Sequence, residues 1–318
     1  MTVRVARAGL LTTVQDLGRS GHQHDGVPES GAMDTHAARL ANLLVGNDEG
    51  AAVLETTLAG PTLVFERATM FAIGGADFGA RLDGEPIVPL RTRQAKAGAT
   101  LELGAARTGC RAYVAMAGGI DVPIVLGSRS TYLPAAFGGY EGRALRAGDL
   151  IPLGTNDGAG TGDFTGLRAI GPAAAPRYGH TLRVVPGEHL ARLTVAARGR
   201  FFGAEFTVSP RSDRMGYRLD GPALDALEMP DLLSAAVTMG TIQLPAGGTP
   251  ILLMADRQTT GGYPRVGQVA TVDLCAAAQL RPGDTVRFEE ISLDEAQGLY
   301  LEREQGVNAL RRALAYRP

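Results

Sequence analysis

The chain has 318 residues, with 31 basic against 33 acidic, a net charge of -2, 20% charged and 45% hydrophobic residues. This is the balance of an ordinary globular protein with a real core, long enough for one large domain or two, and it excludes wholesale disorder. No block of like charge offers a docking field to a nucleic acid backbone or an anionic membrane surface, so neither is an expected partner.

The first eleven residues alternate and already carry Arg4 and Arg7, without the apolar stretch of a secretory leader, and no apolar run reaches membrane-spanning length. A cytoplasmic protein is expected, with Cys110 and Cys275 as reduced thiols. Glycine (43) and proline (18) are abundant and tryptophan is absent, the usage of many tight turns between short strands. The first helix is predicted from Asp34 as N-cap, with Ala37, Leu40, Ala41 and Leu44 on one face and Gly46 as its stop. Strand-like runs follow at 62–65, 70–73, 100–103, 111–116, 182–185, 251–254, 266–272 and 285–289. A second helix is predicted over 273–279, ending before Pro282. A third starts at a capping box, Ser292 with Glu295, and runs arginine-rich toward Tyr316 on the outside of the fold.

An internal repeat organises these elements. Arg81-Leu82-Asp83-Gly84 returns as Arg218-Leu219-Asp220-Gly221, the run ending Met116-Ala117 as the run ending Met254-Ala255, and Leu145-Arg146-Ala147-Gly148-Asp149 as Leu280-Arg281-Pro282-Gly283-Asp284. Any one match is ordinary turn chemistry; three in the same order at nearly equal offsets indicate duplication. The chain therefore reads as mainly β, two related β-barrel subdomains with a few peripheral helices. The first covers 1–154, with a helical insertion at about 11–60, and the second covers 177–318 with the C-terminal helix. The small-residue stretch 155–176 links them.

Several chemistries are excluded. Lys96 is the only lysine and sits in Ala95-Lys96-Ala97, so there is no phosphate loop and no carrier lysine for biotin. The run 158–163 lacks a dinucleotide fingerprint and reads as linker. No Gly-x-Ser-x-Gly elbow occurs.

Four clusters remain as candidate sites. Asp256-Arg257-Gln258-Thr259-Thr260-Gly261-Gly262-Tyr263-Pro264 follows an apolar strand, where released polar groups and two glycines suit a small anionic substrate. Arg257 can hold a carboxylate bidentately, with Asp256 orienting it or acting as a base, and 258–263 lining the substrate. The structural alternative is an ion pair closing a barrel end. Arg211 and Arg214 flank Asp213 in a turn and suit an anion site, or are solvated turn charges. Gln15, Asp16 and Arg19 read as a polar insertion that closes a cleft or meets a partner. His22 and His24 nearby lack the further ligands of a metal set, so no metal is expected. Arg129 with Ser128 and Ser130 occupies, in the first half, roughly the place of the Asp256 loop, and suits an anion or a strand-end turn equally.

At these residues the chain resembles a known family. Gly9-Leu10-Leu11-Thr12-Thr13-Val14-Gln15-Asp16-Leu17-Gly18-Arg19, Gly26-Val27-Pro28-Glu29-Ser30-Gly31-Ala32-Met33-Asp34, Ala117-Gly118-Gly119-Ile120, 126–131 and the Asp256 loop together resemble the KipA family, also called allophanate hydrolase subunit 2 or the biotin-dependent carboxyltransferase family. The resemblance implies cyclophilin-like barrels and a KipI-type partner subunit. Members that are 5-oxoprolinase subunits also work with a LamB/YcsF-type subunit, opening 5-oxoproline to glutamate with ATP used by the complex and no cofactor held by this chain alone. Other members are half of the carboxyltransferase of urea carboxylase, or regulatory partners of a KipI-type kinase inhibitor. The absence of a biotin carrier, biotin carboxylase or amidase region favours the 5-oxoprolinase reading.

Overall fold

The computed structural model describes residues 2–155, 168–170, 176, 178–225 and 232–315, the side chain of 315 excepted. It separates into two compact units, the first of Met1–Arg19, Ser30–Pro176 and Gly306–Pro318, the second of Ser20–Glu29 and Arg177–Gln305. The expected linker at 155–176, with its glycine-rich run, lies outside the described residues except at 155, 168–170 and 176.

The first unit runs through β1 (Thr2–Arg7), β2 (Leu11–Gln15), α1 (Thr35–Val45), β3 (Val53–Thr57), β4 (Thr62–Phe65), β5 (Thr69–Gly75) and β6 (Arg81–Leu82). It continues with β7 (Glu85–Pro86), β8 (Arg93–Ala95), β9 (Thr100–Glu102), β10 (Arg111–Met116) and β11 (Leu150–Pro152). Two sheets result, one in the order β11-β1-β4-β9-β6-β7 and one in the order β2-β3-β10-β5-β8. The stretch 11–60 is therefore more than a helical insertion: β2 and β3 build one side of the five-stranded sheet.

All six residues of β10 are buried because both of its faces are covered. Ala112, Val114 and Met116 join the main core, and Tyr113 and Ala115 pack with α1 residues Ala37, Ala41 and Leu44. Two-sided burial turns the usual alternation of a strand into a continuous apolar run. The α1 N-cap is as predicted: the Asp34 side chain accepts from the Ala37 N–H at 2.9 Å, a contact worth about 1 kcal/mol, and the helix ends at Gly46. The Tyr113 hydroxyl accepts from the Asp34 N–H (2.7 Å) and donates to Glu55 (2.9 Å). Burial, and then the Glu55 charge, push this phenol well above its ordinary value.

The second unit contains β12 (Thr181–Pro186), α2 (Val195–Gly203), β13 (Phe206–Val208), β14 (Gly216–Asp220), β15 (Ala235–Ala236) and β16 (Thr241–Gln243). It continues with β17 (Ile251–Leu253), β18 (Thr260–Gly261), β19 (Arg265–Val269), α3 (Leu274–Ala278), β20 (Thr285–Glu290) and the start of α4 (Leu293–Ala315), whose residues from Gly306 on group with the first unit. Seven strands close a barrel in the order β12-β19-β16-β17-β14-β13-β20, sealed by parallel pairing of β12 with β20. Leu182, Val184, Ile242, Leu252 and Val266 are fully buried, and Phe288 packs between Phe201 and Phe206 with ring centroids 4.9 and 5.7 Å away. The chain is mainly β, with four α-helices among the described residues. One of them, α2, is not signalled by the sequence pattern. The capping box of α4 forms as predicted: the Ser292 hydroxyl and the Glu295 carboxylate satisfy each other's backbone N–H groups.

The repeat is visible in the hydrogen bonding. In the first unit the Gly148 N–H donates to the Val5 carbonyl (2.8 Å), the Val5 N–H to that of Asp149 (2.9 Å), and the Arg146 N–H to the Asp149 carboxylate (2.7 Å). In the second, Gly283, Val208, Asp284 and Arg281 make the same three bonds at 2.8, 2.9 and 2.8 Å. Both glycines sit at positive φ, 95° and 91°, which this turn requires.

Candidate functional site

The Asp256 loop leaves the barrel where β17 ends, in a turn closed by the Arg257 N–H on the Met254 carbonyl at 3.2 Å. The Asp256 backbone N–H is tied to the Arg214 carbonyl (2.8 Å), and its carboxylate, 2% exposed, accepts from Arg214 Nε and Nη2 at 2.9 and 3.1 Å. The sequence suggests that Asp256 orients Arg257 or acts as a base. The carboxylate is instead committed to a buried fork with Arg214, because β14 pairs with β17 and brings the Arg214 turn alongside. Arg211, from the same turn, is exposed and is not drawn into the group.

Arg257 is held by other partners. Its Nε donates to the Val237 carbonyl (3.3 Å) and its Nη2 to Glu29 Oε2. The second oxygen of Glu29 accepts from Gln23 Nε2 (2.7 Å), and Gln23 Oε1 accepts from the Gly21 N–H (3.0 Å). A guanidinium has five N–H donors. Nη1, and the second N–H of Nη2, have no acceptor among the described residues, so the end-on fork that suits a carboxylate is unclaimed. Arg257 is only 5% exposed, which weakens competition from water.

Beyond Arg257 the loop runs back as β18 against β15, with Gly261 opposite Ala235 and Thr260 opposite Ala236, and the Val237 N–H on the Thr259 carbonyl at 3.1 Å. Gln258, Thr260 and Tyr263 are exposed and Thr259 is half-buried. The space left by the missing side chain of Gly261 is filled from within: a Cβ there would stand 2.3 Å from Gln243 Nε2. The absence of a side chain at Gly261 thus makes room for the barrel's own glutamine.

The candidate residues of the first unit are brought together, but facing one another. The Asp16 carboxylate accepts from the Gly18 N–H (2.8 Å), the Arg129 N–H (2.6 Å) and the hydroxyls of Ser128 and Ser130. Arg19 is fully buried, donates to the Ser130 carbonyl and lies 4.7 Å over the Phe137 ring. Gln15 donates to Thr13 Oγ1 (3.0 Å) and to the Thr131 carbonyl (3.2 Å). The Arg129 guanidinium donates to the Val122 carbonyl and to Asp121, both at 2.8 Å. The Asp16 carboxylate, the Ser130 hydroxyl and the Arg129 guanidinium, read from the sequence as anion-site or cleft groups, are thus engaged in fixing 126–131 to the end of β2, while Gln15 and Arg19 make the bonds given above with only part of their polar atoms. Among the described residues no group of three or more His, Cys, Asp or Glu is placed to hold a metal. Lys96 is exposed at a turn and offers no phosphate cradle.

The model of the carboxyltransferase domain, subdomain A and B, matches residues 25–290. The chain belongs to this family. Among curated members it is similar to the C-type subunit of 5-oxoprolinase from Escherichia coli (strain K12), 40% identical over 92% of this chain and 93% of that protein. The counterpart from Haemophilus influenzae is 38% identical over 94% of each. Among solved structures, the urea amidolyase of K. lactis superposes with a TM-score of 0.91 at 32% identity, covering 97% of this chain and 20% of that one. Within this carboxyltransferase-family fold, Glu29 and Gln23 are the site residues that sequence reasoning misses. The signal for Glu29 lies in the 26–34 motif, which carries it in a stretch otherwise suited to tight turns; Gln23, before that motif, has no such signal.

Proposed function

We propose that the chain is the C-type subunit of an ATP-dependent 5-oxoprolinase, which opens 5-oxoproline to glutamate together with KipI-type and LamB/YcsF-type subunits. The observation that carries this reading is the match to C-type 5-oxoprolinase subunits along nearly their whole length, 40% identical with 93% of the relative covered. The carboxyltransferase half of a urea-processing enzyme is the second reading, favoured by the shape of the fold, but there the match spans 20% of the larger chain.

A lactam is a poor electrophile, so its opening calls for activation of the amide carbonyl and for firm positioning of the ring. Arg257 supplies the positioning: its end-on fork receives the substrate carboxylate, while Glu29 and the Val237 carbonyl hold the other edge of the guanidinium. Gln258 and Thr259 stand next in the chain as hydrogen-bond donors. Activation draws on ATP bound by the partner subunits, since this chain has neither a phosphate loop nor a second lysine. Mixing the purified chain with the two partner types is expected to produce 5-oxoproline-dependent ATP hydrolysis, and the chain alone none. Turnover by the single chain, or urea-dependent activity in its place, would displace this reading.

A further inference from the structure

Gln243, the last residue of β16, is 1% exposed, and its Nε2 has no acceptor among the described residues. A buried amide donor without a partner costs stability, and an apolar side chain of the same length would fill this space without that cost. The group therefore calls for an explanation other than packing. Its position supplies one. The carboxamide lies against Gly261, where a Cβ would stand 2.3 Å from Nε2 and 3.5 Å from Oε1, and so against the β15–β18 ribbon. The Arg257 guanidinium hangs on the same ribbon, through Nε on the Val237 carbonyl. From Gly261, opposite Ala235, to Thr259, bonded to Val237, is two residues, about 7 Å at the rise of a strand. A cation with part of its fork unclaimed and an amide with no acceptor thus stand within reach of one small molecule.

We propose that Gln243 is a specificity-determining residue that reads the amide edge of the lactam whose carboxylate Arg257 holds. The proposal rests on the reading of Arg257 as the substrate's carboxylate site. A five-membered lactam fixes its amide cis, so its C=O and N–H lie side by side on one edge of the ring, as Oε1 and Nε2 do in a carboxamide. Nε2 donates to the ring carbonyl oxygen and Oε1 accepts from the ring N–H, a reciprocal pair that an open-chain trans amide cannot form. The Nε2 bond also stabilises negative charge that develops on that oxygen. The ribbon is the cover of this site. Its strands of two residues each stand outside the hydrogen-bonded ring of the barrel, and a ribbon so short is held weakly enough to lift and admit the ligand.

The test uses the reconstituted complex with 5-oxoproline as substrate and cyclopentanecarboxylate as competitive inhibitor, the latter offering the ring and the carboxylate without the amide. Gln243→Met keeps the length of the side chain and removes the carboxamide. It should lower kcat/KM for 5-oxoproline about 10- to 100-fold, as when a buried polar group loses its partner, and move the cyclopentanecarboxylate inhibition constant by less than about threefold. The melting temperature of the Gln243→Met chain should equal or exceed that of the native chain, because the fold loses no hydrogen bond from Nε2. Gln243→Leu gives the same comparison if the methionine variant does not fold. Equal weakening of both ligands, or an unchanged kcat/KM, overturns the proposal and leaves Gln243 as a packing residue of the barrel. A native complex with no 5-oxoproline turnover overturns the functional reading itself, and the proposal with it.

Discussion

Asp256 gives both carboxylate oxygens to Arg214, at 2.9 and 3.1 Å, while Arg257 beside it in sequence is held by Glu29, 228 residues away. Adjacent residues of one loop therefore serve different ends. The first pair is closed on itself and buried on both sides, whereas the second leaves part of a guanidinium fork unclaimed.

That contrast predicts separable phenotypes. Arg257→Ala should lower kcat/KM of the reconstituted complex by about 100-fold, the order expected when a charged donor is removed from a desolvated site. Arg257→Lys should recover only a small part of this, since an ammonium has no planar fork. Both proteins should still fold and copurify with the partner subunits. Steady-state kinetics at saturating ATP would expose the error if either variant kept near-normal turnover.

Asp256→Ala acts on stability first. It leaves the Arg214 guanidinium buried without its carboxylate, a loss of about 3–5 kcal/mol for a broken buried pair. The midpoint of urea unfolding should drop accordingly, and Arg214→Met should drop it in the same way. The double substitution should be milder than the sum of the two, because it removes both charges together.

Much of the local architecture is legible from short-range chemistry. Asp34 with Ala37, and Ser292 with Glu295, are caps whose partners lie three residues away, and the Arg-x-Gly-Asp turns repeat because the same three hydrogen bonds are made twice. What cannot be read depends on partners far along the chain. Nothing near Asp16 announces that its carboxylate is taken by Ser128, 112 residues on, and nothing near Arg257 points to Glu29. The helix α2 escapes for a different reason. Its run Val195-Ala196-Ala197-Arg198-Gly199-Arg200-Phe201-Phe202-Gly203 buries only Ala197 and Phe201 and contains two glycines, so it carries little helical periodicity.

Asp16→Ala tests whether the first-unit cluster is structural. The substitution strips acceptors from two backbone N–H groups and two hydroxyls, at a cost on the order of 3 kcal/mol when several such bonds share one carboxylate. The melting temperature should fall, and at temperatures where the variant is folded its partner subunits should still bind. Lost assembly with an unchanged melting temperature would restore Asp16 to the partner-facing role suggested by its sequence.

The last prediction concerns acid stability through Glu49. Burial alone would raise its carboxyl, but the guanidinium groups of Arg311 and Arg39 outweigh this and hold it below the ordinary glutamate range. A group whose folded value lies below its unfolded value stabilises fully above the unfolded value, about 4.3, and loses that contribution as pH falls through the folded one. The unfolding midpoint of the native chain should therefore decline below about pH 4.3. The gap between it and Glu49→Gln should narrow over the same interval, since the variant has no such proton to take up. Arg311 lies on α4, so amide exchange around that residue should speed up with the same pH dependence. A gap that stays constant from about pH 7 down to about pH 3 would show that the charge on Glu49 contributes nothing to holding this end of the helix.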